Sequence, residues 1–191
     1  FDRVESGRFC SDGELVHSFS DGWGWYKVVE GRSKQEAMAM HHCGNEGGKQ
    51  GDVLYSLREP VLHASVSRLK PHLTFIVRNG LIGEAKGFAN QKPDPSFARY
   101  IEEFLKMKEI RGLVGGGYLP CNNFQFCDLT NSARSRVLEE KPDFRFDPVG
   151  EGGSQMLRIS GHKNWRHYGV ADCGEQLMVN VGDLGSKEPQ W

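Results

Sequence analysis

The chain has 191 residues, of which 38% are hydrophobic and 26% charged, a balance that excludes a disordered chain. The net charge of −1 argues against a broad basic surface for nucleic acid, and the apolar stretches are too short to cross a bilayer. No charged-then-apolar leader opens the sequence, and the five cysteines are odd in number and widely spaced. We expect a single cytoplasmic domain over residues 1–191, in a reducing compartment and without membrane contact.

The first predicted elements are a strand and a short helix. Residues 1–21 are polar and weakly patterned, whereas residues 22–29 are aromatic and β-branched and predict a strand. Ser33 and Glu36 have the spacing of a capping box, which predicts a helix start. We expect the helix to end at Gly44, because glycine readily adopts the left-handed conformation that closes a helix. Its last turn would then contain His41, His42 and Cys43.

The most specific structural signal is a β-hairpin in the middle of the chain. Residues 72–78 have strand character and run into Asn79–Gly80, the dipeptide typical of a tight hairpin turn. Residues 81–86 predict the returning strand. A further strand is predicted over residues 53–58.

Two helices and two short strands are predicted after the hairpin. Asp94 is a capping residue and Pro95 suits the first helical position. An apolar stripe at helical spacing follows, formed by Phe97, Tyr100, Ile101, Phe104 and Leu105. We expect a weaker helix over residues 131–140 and strands over residues 155–160 and 176–181. Because strands and helices do not alternate regularly, the predicted fold is α+β, with a mixed or antiparallel sheet whose central β-hairpin is packed by two or three helices.

Four segments occur in an order that is similar to a known family. They read Met-His-His-Cys-Gly-Asn over residues 40–45, Leu-Tyr-Ser-Leu-Arg-Glu-Pro over 54–60, Leu-Thr-Phe-Ile-Val over 73–77 and Glu-Ala-Lys-Gly-Phe-Ala-Asn-Gln-Lys-Pro over 84–93. The order resembles the PcfJ-like proteins of conjugative plasmids and phages, which show Met-x-His-Cys, a strand ending in Leu-Arg-Asp-Pro, and Gly-x-x-Asn-x-x-Pro. The resemblance covers the middle third of the chain. It implies an origin in a phage or other mobile genetic element, but it implies little about a chemical activity.

The densest cluster of reactive side chains is His41, His42 and Cys43. In a catalytic interpretation Cys43 is a nucleophile with a histidine as its base, although the dipole at a helix C-terminus disfavours a thiolate. A metal interpretation is weaker, because successive helical residues point about 100° apart. Cys121 and Cys127 are also six positions apart, outside the usual zinc spacing. No cofactor is therefore predicted; zinc stays open as an alternative that the spacing does not support. In the remaining interpretation, Cys43 packs as a small buried hydrophobe.

The loop over residues 87–93 leaves the hairpin and enters the helix capped by Asp94. Loops carried on rigid elements often make ligand contacts, and this loop is rich in side-chain donors. With two basic residues of the adjoining strands, the predicted ligand-binding set is Arg58, Lys86, Asn90, Gln91 and Lys92. In the competing interpretation the loop is a turn whose glycine and asparagine serve the backbone geometry.

A second candidate contact surface lies near the C-terminus, where residues 162–168 mix basic and aromatic side chains. The predicted partner-binding residues are Lys163, Trp165, Arg166 and His167.

Three hypotheses about function follow. The first is a phage or mobile-element accessory protein that binds a protein or nucleic acid of the host or of the element, since no complete catalytic constellation is present. The second is a transferase or hydrolase that uses Cys43 with a nearby histidine. The third is a nucleic-acid-binding protein, which the near-neutral charge disfavours. The sequence leaves open whether the protein is an enzyme.

Overall fold

The computed structural model describes residues 13–42, 51–63, 66–114, 122–146, 154–157, 166–172 and 177–183. For residues 63 and 66 and for the last three of these ranges, it describes the backbone alone.

A seven-stranded sheet forms the main layer, and its strands lie side by side in the order in which they occur along the chain. Neighbouring strands are antiparallel from β1 to β5, and β6 and β7 are added in parallel. The strands are β1 (Glu14–Ser18), β2 (Gly24–Lys27), β3 (Asp52–His63), β4 (Val66–Arg78), β5 (Leu81–Gly87), β6 (Gly112–Leu113) and β7 (Arg145–Phe146). The sheet is therefore mixed. Together with three α-helices in the described ranges it confirms the α+β prediction.

Three α-helices and a second sheet complete the described elements. The helices are α1 (Ser33–Ala39), α2 (Ala98–Lys106) and α3 (Asn131–Glu140). The second sheet is antiparallel with β9 in the middle, and consists of β8 (Ser154–Leu157), β9 (Arg166–Asp172) and β10 (Leu177–Asp183). In the described ranges, no helix has the length and apolar character that crossing a bilayer requires.

The predicted hairpin turn is confirmed. Asn79 and Gly80 both have positive φ, at 50° and 77°, and Arg78 pairs with Leu81 across the turn. A side chain at Gly80 would also be obstructed, since a Cβ there would lie 2.7 Å from the carbonyl oxygen of Glu109. Both the backbone conformation and the close approach therefore require glycine at this position.

The aromatic face of the sheet packs against α2, which the Asp94 cap and the apolar stripe predicted. The Asp94 carboxylate accepts the N–H of Ser96 at 2.8 Å, and a 3-10 turn leads into the helix. The ring of Phe104 lies 4.3 Å from that of Trp25 and 5.4 Å from that of Phe75. All three aromatic side chains are fully buried, so this face holds the main hydrophobic core.

The opposite face contains a buried polar cluster. Ser56, Arg58 and Thr74 alternate along their strands with the core residues and therefore point away from α2. There the carboxylate of Glu36, on α1, accepts from Arg58 Nη2 at 3.1 Å and from Thr74 Oγ1 at 3.0 Å. Glu36 and Arg58 are each 1% exposed, so α1 is attached to the sheet by a buried ion pair.

The predicted capping box of α1 is wrong. The N-cap is Arg32, it makes no side-chain cap, and Glu36 faces the buried cluster instead of reaching back to Ser33. Tertiary ion pairing has overridden the local interaction.

The predicted end of α1 is also wrong, because the helix closes before Gly44. His41 takes the left-handed position with φ of 54°, and the N–H of His42 donates to the carbonyl of Ala37 at 2.8 Å. His41 and His42 therefore follow the helix and do not belong to its last turn.

Candidate functional site

The two longest strands project beyond the rest of the sheet. The last residue of β3 that pairs with β2 is Arg58, and the last residue of β4 that pairs with β5 is Leu73. The pairing of β3 with β4 nevertheless continues over residues 59–63 and 66–70. In the described part of the chain, no third strand pairs with these two segments. We call this two-stranded ribbon the arm.

Two prolines explain where the arm begins. Pro60 lies two positions beyond the last residue of β3 paired with β2, and Pro71 lies two positions before the last residue of β4 paired with β5. Proline has no N–H to give to an additional strand, so within sheets it is confined to edges. The same property protects the arm from unwanted strand addition. The turn at Gly22 packs against Pro60, because a Cβ on Gly22 would lie 3.1 Å from Pro60 Cγ.

The two faces of the arm differ in chemistry. Directly paired residues share a face, which places Pro60 with Leu69, and Leu62 with Ser67, on an apolar face. The other face carries two further pairs, Glu59 with Lys70 and Val61 with Arg68. Leu62 is 80% exposed, the highest value among the exposed large hydrophobic residues in the described ranges.

A histidine–carboxylate pair lies at the base of the arm. Leu57 pairs with Leu73 but Arg58 pairs with Pro71, so His72 is the extra residue of a β-bulge. Its Nε2 donates to Glu59 Oε2 at 2.9 Å, and its ring lies 4.7 Å from the ring of Trp23. Burial lowers the pKa of His72, and its hydrogen bond to the Glu59 carboxylate opposes this shift only partly.

A cavity of about 220 Å³ opens beside this pair, at the point where β5 has left the edge of β4. Its lining is mainly apolar, with one imidazole and one ammonium group, and comprises Ala39, Lys70, Pro71, His72 and Phe88. A cavity of this composition suits an apolar group that carries a polar or anionic end. The arm and the cavity together form the candidate site.

The predicted histidines and the predicted loop are brought together next to this cavity. His42 Nε2 donates to the carbonyl of Gly87 at 2.9 Å, and the N–H of Ala89 donates to the carbonyl of Met40 at 2.8 Å. The His41 ring lies 4.7 Å from the ring of Phe88. The end of α1 therefore supports the loop that lines the cavity.

Catalysis by Cys43 stays a prediction. Cys43 lies outside the described residues, and His42 Nε2 is already engaged by a backbone carbonyl. Among the described residues, no three His, Cys, Asp or Glu side chains are grouped so that they could hold a metal ion.

Two of the predicted ligand-binding residues lie in the interior. Arg58 is 1% exposed and ion-paired with Glu36, while Lys86 is 3% exposed and donates to the side-chain and main-chain oxygens of Asn122. Both interactions tie parts of the fold together. A ligand role for either side chain stays a prediction, and neither is presented at the surface.

The remaining predicted residues of the loop have mixed surroundings. Asn90 has φ of 59°, which agrees with the interpretation that asparagine serves the turn geometry. Lys92 Nζ lies 2.6 Å from Asp128 Oδ1, and the Gln91 side chain is exposed. Of these three loop residues, Gln91 therefore has the side chain most accessible to a ligand.

The predicted C-terminal contact surface falls mostly beyond what the structure describes. Lys163 and Trp165 lie outside the described residues. Arg166 and His167 begin β9, and only their backbone is described, paired with Asp183 and Gly182.

The arm was not predicted from the sequence. The predicted strands stopped at Arg58 and started at His72, immediately inside Glu59-Pro60 and Pro71. The prolines were the available signal, since proline within a strand pattern indicates an edge as well as an end.

No protein-family model, curated protein or solved structure matches this chain. The functional argument therefore depends on the geometry of the site.

Proposed function

We propose that this protein acts by binding a macromolecule, and that the arm and the cavity at its base form the contact surface. The observation that carries the proposal is Leu62, whose side chain is 80% exposed on a ribbon that extends past the rest of the sheet. A large apolar side chain in such a position remains in contact with water until a partner covers it.

A protein is the partner that the chemistry of the arm favours. Its apolar face offers Pro60, Leu62 and Leu69 for burial. The other face carries the carboxylate of Glu59 together with the cations Arg68 and Lys70. The net charge of −1 disfavours nucleic acid as the partner. The cavity would accept one apolar side chain of the partner, next to His72.

The resemblance to PcfJ-like proteins motivates the biological setting that we propose. In that setting the chain is an accessory protein of a phage or another mobile element, and the partner belongs to the host or to the element. This part of the proposal is supported by the four sequence segments alone.

Photo-crosslinking in the cells that carry the gene tests the proposal. A photoreactive phenylalanine analogue at position 62 is expected to capture a defined protein. The same analogue at position 29 is the matched control, because Val29 is also apolar and is 49% exposed outside the arm. Equal capture from both positions, or capture from neither, would contradict a contact at the arm.

A charged substitution then measures the contribution of the contact. Once the captured partner is purified, Leu62→Glu is expected to weaken its binding by about 10–100-fold, because burial of one leucine side chain is worth about 1.5–3 kcal/mol. Val29→Glu is expected to leave the affinity unchanged. Binding of a labelled oligonucleotide at low salt, lost steeply as salt rises, would instead favour the nucleic-acid hypothesis.

A further inference from the structure

A second cavity, of about 450 Å³, lies away from the arm residues, among the segments that follow α2 and α3. Lys108 and Arg111 come from the segment between α2 and β6, Lys141 directly follows α3, and Arg145 is the first residue of β7. Two carboxylates, those of Glu140 and Asp143, also reach its lining. Cations therefore outnumber carboxylates.

One of the two carboxylates is shared with a cation on α2. Glu140 Oε1 lies 3.4 Å from Lys106 Nζ, which also binds Glu102 and Glu103. In the described part of the chain, neither Lys108 nor Arg145 has a carboxylate within ion-pair distance. The positive charge of the cavity is therefore compensated only in part.

Backbone carbonyls hold two of the cations in place. Lys141 Nζ donates to the carbonyls of Met107 and Ile110, so its charge is used to cap the C-terminal end of α2. Arg111 Nε donates to the carbonyl of Asn79 at 3.0 Å. A neutral carbonyl fixes the position of a guanidinium group without cancelling its charge.

The parallel pairing of β6 and β7 joins the two arginine segments through the backbone. Arg145 pairs with Gly112, and its N–H donates to the carbonyl of Arg111 at 3.0 Å. Both arginine residues line the cavity. Ile110 and Phe144 line the same cavity, and both are almost fully buried.

We propose that this cavity binds a phosphate-bearing small molecule of nucleotide size. Guanidinium groups match phosphate oxygens in a two-pronged geometry, and Arg111, Arg145 and Lys108 would share the phosphate charge. Ile110 and Phe144 would contact the apolar or aromatic part of the ligand. The volume lies within the range typical of small-molecule sites.

Isothermal titration calorimetry of the full chain at low salt tests this site, with ATP, AMP, inorganic phosphate and adenosine as probes. Affinity is expected to fall from ATP to AMP to phosphate, and adenosine is expected not to bind. Arg145→Gln and Lys108→Gln, both exposed positions, are each expected to weaken ATP binding about tenfold or more.

Lys34→Gln is the matched control, because it removes one exposed lysine charge on α1 and should leave ATP binding unchanged. Three results would overturn the proposal: no binding of any phosphate-bearing probe, equal weakening by Lys34→Gln, or binding of a long oligonucleotide without binding of ATP. None of them bears on the arm, so this site and the proposed function fail separately.

Discussion

The same two strands, β3 and β4, behave differently in two parts of their length. In the body of the sheet, over residues 55–58 and 73–78, each is flanked by another strand and carries core residues such as Leu57 and Phe75 at 0% exposure. In the arm neither has an outer neighbour among the described strands, and Leu62 is 80% exposed. Strand propensity and pairing are shared by the two parts, so the difference lies in what covers them. The covered body accounts for stability, and the arm is the part that we propose makes contact with a partner.

The largest effect is expected where α1 is attached to the body. Glu36→Ala removes the buried carboxylate that accepts from Arg58 and Thr74, and we expect a loss of about 3–5 kcal/mol in the free energy of unfolding. Urea unfolding measures it. Asp52→Ala breaks the more exposed pair with Arg78 and should lose only about 1 kcal/mol or less. Equal losses would show that the Glu36 cluster is not closed to water.

Two leucines of β3 compare the body with the arm directly. Leu57→Ala creates a cavity in the core and is expected to lose about 2–5 kcal/mol. Leu62→Ala removes a side chain already in contact with water, and its effect should stay within about 0.5 kcal/mol. Chemical unfolding of the two variants measures both. A large loss for Leu62→Ala would mean that the arm is packed in the whole protein.

The turn that joins β4 to β5 gives an intermediate effect. Gly80→Ala places a Cβ 2.7 Å from the Glu109 carbonyl at a positive φ, so we expect a loss of about 1–3 kcal/mol. Gly31 is the matched control: its φ is 81°, but no described atom lies within 4 Å of an added Cβ. Gly31→Ala should therefore lose less, because it adds backbone strain without a collision. Thermal unfolding of both variants distinguishes these contributions.

The smallest expected effect lies at the junction of body and arm, and it depends on pH. Burial lowers the pKa of His72 below the usual 6.5, so in acid the unfolded chain binds a proton more readily than the folded chain. The stability contributed by neutral His72 is complete above pH 6.5 and declines as the pH falls below it. Urea unfolding at pH 8 and pH 5 is expected to show a smaller decrease for His72→Gln than for the wild type.

Val29→Gln is the control for that measurement, since it places the same amide side chain at an exposed position and removes no imidazole. Its decrease between the two pH values should match that of the wild type. An unchanged decrease in His72→Gln would show that the His72 imidazole does not titrate differently on folding.

Elements with local signals were predictable from the sequence. The Asn79–Gly80 turn, the Asp94 cap and the helix ending before Pro142 each depend on residues close in sequence, and all three are confirmed. β1 was not predicted, because the strand has only five residues, is largely polar and is held in the sheet by its pairing with β2.

The candidate site was less predictable, because its contacts join residues far apart in sequence. Glu36 fitted a capping box locally, yet its partners Arg58 and Thr74 lie more than twenty positions away. Similarly, Glu59 and His72 meet only because β3 and β4 pair across a bulge. The prolines were visible in the sequence, but the pairing that continues past them depends on the two strands together.

Hydrogen exchange of the free protein, followed by mass spectrometry, tests most directly whether the arm is an open ribbon. Amides over residues 55–58 should exchange slowly, because both edges of β3 are paired there. Peptides over residues 59–63 and 66–70 should exchange at least about tenfold faster, because their outer edges have no described partner strand. Equal protection of body and arm would contradict an open ribbon, and with it the proposal that the arm awaits a binding partner.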